Sequence, residues 1–116
     1  MTIALIVTCA FLGLLATGSA AGKLTRNPKI LESLHGVGVT DSQVKILATL
    51  ELFGAAGLVV GIFIPGLGLA ATIGLTLYFL GAVVAHLRKR QNFAEWAPAL
   101  VLAALALAST LLQLQR

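Results

Sequence analysis

Four long apolar stretches separate the few charged residues of this chain, and they constrain its fold more than any other feature. They lie at about residues 2–22, 44–64, 66–86 and 97–114. A helix needs about 20 apolar residues to cross the roughly 30 Å hydrocarbon core of a bilayer. The sequence therefore predicts an all-α integral membrane protein, a four-helix bundle that forms one transmembrane domain over residues 1–116.

The composition agrees with this fold class and excludes others. Hydrophobic residues make up 59% of the 116 residues and charged residues only 10%, which is not the composition of a soluble globular domain. The net charge of +4 would suit a nucleic-acid partner, but the sequence has no basic stripe with interleaved aromatic residues. We therefore expect the lipid bilayer as partner and no nucleic acid.

The sequence contains none of the common catalytic or metal-binding motifs. Cys9 is the single cysteine, so the chain forms neither an intrachain disulfide nor a CxxC redox pair. Phosphate-binding loops and nucleophile elbows are missing, and a metal site would need more ligands than Glu51 and His86. We expect no catalytic residue and no metal ligand. No motif identifies a cofactor, and the candidates are a quinone or a lipid.

The connection at residues 23–43 is the only long one, and it contains signals for a helix of its own. Asn27 is a favourable N-cap, Pro28 suits the first helical position and Gly36 is a helix terminator. These signals predict a short interfacial helix between spans 1 and 2. An irregular loop is the alternative.

Two further signals mark the ends of the second span. Thr40 and Gln43 have the spacing of a capping box where the span begins. The tripeptide Ile64-Pro65-Gly66 predicts a tight connection to the third span, because proline cannot continue a helix and glycine permits a reversal. The second and third spans should therefore form an antiparallel hairpin.

The distribution of basic residues predicts the orientation in the membrane. With four spans, both termini share one side, and the connections 23–43 and 87–96 share the other. Only Arg116 lies beside the termini, whereas the connection side holds Lys23, Arg26, Lys29, Lys45, Arg88, Lys89 and Arg90. By the positive-inside rule the connections are cytoplasmic and the termini outside, in what we expect to be a bacterial inner membrane. The cluster Arg88-Lys89-Arg90 is expected to set this topology and to bind lipid headgroups.

Glu51 is the one acidic residue inside a predicted span, where an unpaired charge costs about 3 kcal/mol. His86 and Tyr78 fall in the same half of the membrane, and Lys23 leaves the first span on that side. These four residues predict either an intramembrane pocket for a polar-headed ligand or a hydrogen-bond cluster that fixes helix register. The residues alone leave both interpretations open.

Glycines spaced four residues apart indicate close helix packing. Gly18 and Gly22 form one such pair, and Gly57 and Gly61 form another. We expect packing inside the bundle to account for most of them. A homodimer through a remaining glycine-rich helix face is an alternative use.

The glycines and polar residues recur in a characteristic order along nearly the whole chain. The pattern comprises Gly18 through Lys23, Pro28, the segment 50–58, Gly81-Ala82, His86, Arg88 and Pro98. This order resembles the DoxX-like family of small four-helix membrane proteins, which is distantly similar to the NACHO chaperone and the EXPERA-domain proteins. The resemblance implies that Lys23, Glu51 and His86 gather near one membrane face.

The resemblance also bears on function. It implies that any link to catalysis is as a membrane subunit of a quinone-dependent oxidoreductase. Our leading hypothesis is a non-catalytic accessory or ligand-binding protein that takes a lipid-, sterol- or quinone-like molecule or a partner helix. One alternative is a membrane-protein assembly chaperone like NACHO, for which another membrane protein is the partner. The other is a proton-coupled small transporter that uses Glu51.

Overall fold

The computed structural model describes residues 3–115, in which all regular structure is helical. The residues of this range form α1 (Ile3–Leu24), α2 (Pro28–Gly36), α3 (Asp41–Val60), α4 (Pro65–Arg88) and α5 (Phe93–Leu114). All but α2 are long and apolar enough to cross a membrane. The predicted fold class is confirmed, including the short helix between spans 1 and 2. Residue 2, where the first span was predicted to begin, and Arg116 lie outside the described residues.

The four long helices pack in a ring. Helix α1 contacts α3, α3 contacts α4, α4 contacts α5, and α5 returns to α1. Because each span runs opposite to the one before it, neighbours in the ring are antiparallel. The core draws on all four helices and includes Leu5, Leu12, Ala16, Leu58, Leu75, Phe79, Leu102 and Ala106. Large apolar side chains also cover the outer surface, as a bilayer requires.

The predicted capping signals are present at the start of α2 and at the start of α3. The side chain of Asn27 accepts from the backbone N–H groups of Lys29 and Ile30, which caps α2. At the start of α3, the N–H of Thr40 donates to Gln43 Oε1 at 3.0 Å, and the N–H of Gln43 donates to Thr40 Oγ1 at 3.3 Å. The short helix and the capping box are both confirmed.

The hairpin between α3 and α4 is present, but its turn comes a few residues earlier than predicted. Residues 61–63 make the turn, Ile64 is the N-cap and Pro65 is the first residue of α4. Proline is favourable there because the first helical N–H has no intrahelical acceptor and the ring presets φ. Beside the turn, a Cβ added to Gly61 would lie 2.3 Å from Gly68 Cα, so the two backbones are in direct contact.

The glycines divide into packed positions and open outer positions. Gly57 packs against Ala71 of α4, and Gly22 packs against Ile30 of α2 rather than against a membrane span. Among the described residues, a Cβ would meet no atom within 4 Å at five other glycines, which include Gly18, Gly74 and Gly81 in the spans. Packing within the chain therefore explains only part of the glycine pattern, and the homodimer stays a prediction.

Candidate functional site

A buried ion pair joins α1 to α3. Lys23 Nζ lies 2.5 Å from Glu51 Oε1, and the Glu51 residue is 0% exposed. Lys23 is at the last turn of α1, and its long side chain reaches inward to the carboxylate. Of the donors that the sequence placed near Glu51, Lys23 forms a direct ion pair with it.

Ser19 extends this contact on the α1 side. The Nζ of Lys23 donates to Ser19 Oγ at 2.8 Å, in addition to its bond with Glu51. Ser19 lies four residues before Lys23, so the two side chains share one face of the helix. The sequence analysis did not single out Ser19 as a partner of Lys23, although their spacing of four residues could have identified it.

The second carboxylate oxygen of Glu51 has no hydrogen-bond partner among the described residues. This atom, Oε2, is buried. A buried acceptor without a donor costs roughly 1–3 kcal/mol, and more if it carries charge. A donor supplied by a bound molecule would offset this cost.

Tyr78 borders the ion pair from α4. Its hydroxyl donates to the backbone carbonyl of Leu47 at 3.3 Å, and its ring packs edge-on against Phe79 with centroids 4.9 Å apart. Leu47 lies one helical turn before Glu51 on the same face of α3, so the hydroxyl lies beside the carboxylate. Tyr78 therefore holds α4 against α3 beside the ion pair.

His86 belongs to a different cluster from Glu51. Its Nδ1 hydrogen-bonds to Gln91 Oε1 and lies 3.5 Å from Ser33 Oγ. The side-chain amide of Gln91 donates to the backbone carbonyl of Ser33 at 2.9 Å. These bonds tie the end of α4 to α2. The sequence analysis missed Gln91 and Ser33, because their contacts depend on how the loop after α4 folds and no local pattern encodes that.

The basic cluster lies where α4 ends. Arg88 and Lys89 border an open pocket of about 350 Å³ together with Val37 and Ala85. None of the cluster's three side chains has an ion-pair partner within residues 3–115. Arg90 has a left-handed backbone with φ of 55°, which ends the helical path. All three side chains are exposed.

An apolar groove of about 370 Å³ lies between α1 and α3. Its α1 wall extends from Ile6 to Thr17, and its other wall extends from Ala55 of α3 to Ile62 in the turn that follows α3. Ala55 is one helical turn from Glu51, so one end of the groove is adjacent to the ion pair. The volume is within the range of about 300–1,000 Å³ that is usual for small-molecule sites.

Other buried polar residues lie at the opposite end of the bundle. The side-chain amide of Gln113 donates to Cys9 Sγ at 3.9 Å. Ser109 Oγ is buried and has no hydrogen-bond partner in the part of the chain that the structure describes. The sequence analysis did not single out Gln113 or Ser109, because neither interrupts the apolar character of its span.

Four membrane-length helices in an antiparallel ring, with an ion pair buried between two of them, define a small multi-pass membrane bundle. The model of the DoxX-like family matches residues 6–109, which includes most of every span. The chain therefore belongs to the DoxX-like family, as the order of its glycines and polar residues indicates. Neither a curated protein nor a solved structure matches it.

Proposed function

We propose that this DoxX-like protein is a non-catalytic accessory subunit that binds a lipid-, sterol- or quinone-like molecule at the Lys23–Glu51 pair. The polar head of the ligand lies at Glu51, and its apolar part lies among the helices. One observation carries the proposal, namely that the buried Glu51 Oε2 has no hydrogen-bond partner within residues 3–115.

The chemistry of the pair favours a binding role over a purely structural one. A carboxylate that served only to fix helix register would be most stable with both oxygens hydrogen-bonded. Here Lys23 satisfies Oε1 and Oε2 is left over. The neighbouring groove supports the proposal, because it provides apolar volume that begins one helical turn along α3 from Glu51.

The remaining predicted site residues have supporting roles in this proposal. Lys23 neutralises and orients the carboxylate, and Tyr78 closes the α4 side of the site through its bond to Leu47. His86 acts through Gln91, by holding α2 over the same end of the bundle. His86 is therefore proposed as a positioning residue that does not touch the ligand.

Native mass spectrometry tests the proposal. The protein is extracted with its own lipids, and wild type is compared with Glu51→Gln and with the double variant Lys23→Met/Glu51→Leu. The double variant is included because Glu51→Gln leaves a buried lysine unpaired, whereas two apolar replacements leave no uncompensated charge. Glu32→Gln on the exposed face of α2 is the matched control, since it makes the same chemical change away from the site.

We expect a small molecule that co-purifies with wild type and with Glu32→Gln and is lost from both site variants. Its mass would identify the ligand class. Wild-type protein that carries no small molecule, or the same molecule bound equally to all four proteins, would contradict the proposal.

Two other functions make different predictions for the same preparations. An assembly chaperone would be recovered in a stable complex with another membrane protein after mild extraction. A proton-coupled transporter would drive efflux from liposomes in a way that Glu51→Gln abolishes. Either result, in the absence of a co-purified small molecule, would replace the ligand-binding proposal.

We also propose an orientation and a surface contact. The termini face outward and the connections that contain α2 and residues 89–92 face the cytoplasm of a bacterial cell. The cluster Arg88-Lys89-Arg90 binds anionic headgroups of the inner membrane at this face. The support is the absence of acidic partners for these cations in the described part of the chain, and the pocket that two of them border.

A further inference from the structure

We infer that the ligand at Glu51 is an uncharged, single-tailed lipid whose head is a hydroxyl group. The hydroxyl donates to Glu51 Oε2, and the tail lies in the groove between α1 and α3. This inference rests on the proposed function and specifies the class of ligand.

The hydrogen bonds already made at the site determine what the head must supply. Lys23 Nζ donates to Glu51 Oε1 at 2.5 Å and to Ser19 Oγ at 2.8 Å. The atom left without a partner in residues 3–115 is Oε2, and a carboxylate oxygen accepts but does not donate. An O–H or N–H head meets this need, whereas a carbonyl, ether or ester head brings only acceptors.

The charges at the site exclude an ionic head. Lys23 and Glu51 carry opposite unit charges and neutralise each other at 2.5 Å. An added ammonium or carboxylate head would introduce a charge without a counter-charge into a region where ions are expensive. A hydroxyl supplies the missing donor without adding charge.

The position of the groove determines where the tail lies. Its walls are mainly apolar and include Ile6, Leu14 and Val59. The groove is open along the outer face of the bundle, so a hydrocarbon chain can enter it sideways from the bilayer. This groove between α1 and α3 ends beside the ion pair and takes one tail. Because Oε2 is itself buried, binding requires local movement of the side chains that cover it.

A pair of probes that differ only in the donor tests the head. Delipidated protein in detergent micelles is titrated with hexadecanol or with the methyl ether of hexadecanol, and bound probe is counted by native mass spectrometry. We expect wild type and Glu32→Gln to bind the alcohol about tenfold more tightly than the ether, because a hydrogen bond to a charged acceptor is lost in the ether. Lys23→Met/Glu51→Leu should bind both probes equally. Palmitate and hexadecylamine should bind wild type more weakly than the alcohol.

A second pair of variants tests the tail. Ala10 lines the groove, so Ala10→Phe should fill it and weaken binding of the alcohol about tenfold or more. Ala104→Phe makes the same change on the exposed face of α5, away from the groove, and should leave binding unchanged. Equal binding by the two variants would overturn the placement of the tail.

The outcomes separate this inference from the proposed function. Equal binding of alcohol and ether to wild type would overturn the hydroxyl head, although the proposed function would stand if the co-purified molecule were still lost with Glu51. If neither the co-purified molecule nor any probe depended on Glu51, the proposed function would fail and this inference with it.

Discussion

At the scale of single residues, the ion pair was partly predictable. An acid at that depth in a span needs a partner, and Lys23 was one of three candidate donors because it leaves the first span on the same side. Spacing alone did not select Lys23 over Tyr78 and His86, since the selection depends on helix rotation and on the loop that binds His86. The sequence also contained no sign that Glu51 Oε2 would be left without a hydrogen-bond partner among residues 3–115.

A double-mutant cycle on the ion pair should reveal strong coupling. Glu51→Leu leaves Lys23 without its counter-charge. Lys23→Met leaves the Glu51 carboxylate, which is 0% exposed, without its cation. We expect each single variant to lose about 3–5 kcal/mol in the free energy of unfolding. The Lys23→Met loss should be the larger, because a lysine near a helix end can extend its ammonium to the membrane surface and Glu51 cannot. The double variant should lose less than either single variant. Denaturant unfolding in mixed micelles measures all four proteins, and losses that simply add would contradict the coupling.

At the scale of helices, local signals predicted much of the structure. The N-cap of α2, the capping box of α3 and the α3–α4 hairpin all depend on residues close together in sequence, and all are present. The hairpin turn lies a few residues earlier than predicted, because Pro65 is compatible with two positions, in the turn or as the first residue of a helix. Which glycines pack could not be predicted, since that depends on which face each helix turns toward its neighbours.

Two glycine-to-alanine substitutions should have different effects. At Gly61 the added Cβ would lie 2.3 Å from Gly68 Cα and 2.7 Å from Gly68 N, and backbone atoms cannot move aside cheaply. We expect Gly61→Ala to lower the free energy of unfolding by about 1–3 kcal/mol. Gly74→Ala is the control, because a Cβ there meets no atom of the described residues within 4 Å and alanine is the better helix former.

Thermal unfolding of the two glycine variants in the same detergent provides the comparison. Gly74→Ala should match or exceed wild type in melting temperature. A Gly61→Ala protein as stable as Gly74→Ala would mean that the α3–α4 contact relaxes without cost, and would argue against a rigid hairpin.

At the scale of the whole molecule, the sequence predicted four spans and one bundle, because apolar length is a property of composition over about 20 residues. The order of the helices around the ring could not be predicted from the sequence, since several arrangements bury the same helix faces. The orientation of the ring in the bilayer is a separate prediction that depends on the cations at the α2 end.

Reporter fusions should establish that orientation. Alkaline phosphatase fused after residue 116 should be active, and a green fluorescent protein at the same position should be dark, because the C-terminus is predicted outside. Replacing Arg88, Lys89 and Arg90 by glutamine should lower the phosphatase activity by weakening the charge bias. If the green fluorescent protein fusion were fluorescent and the phosphatase fusion inactive, the C-terminus would be cytoplasmic, which is the reverse of the proposed topology.

The ion pair between α1 and α3 also has a consequence for biosynthesis. Lys23 and Glu51 are 28 residues apart, so the cation is synthesised and enters the membrane first, near a helix end where its ammonium can stay hydrated. The span that carries the more deeply buried charge follows, with its counter-ion already in place. If the acid preceded the base, the ribosome would deliver an uncompensated carboxylate to the translocation machinery. The order of the two residues along the chain therefore suits insertion from the N-terminus.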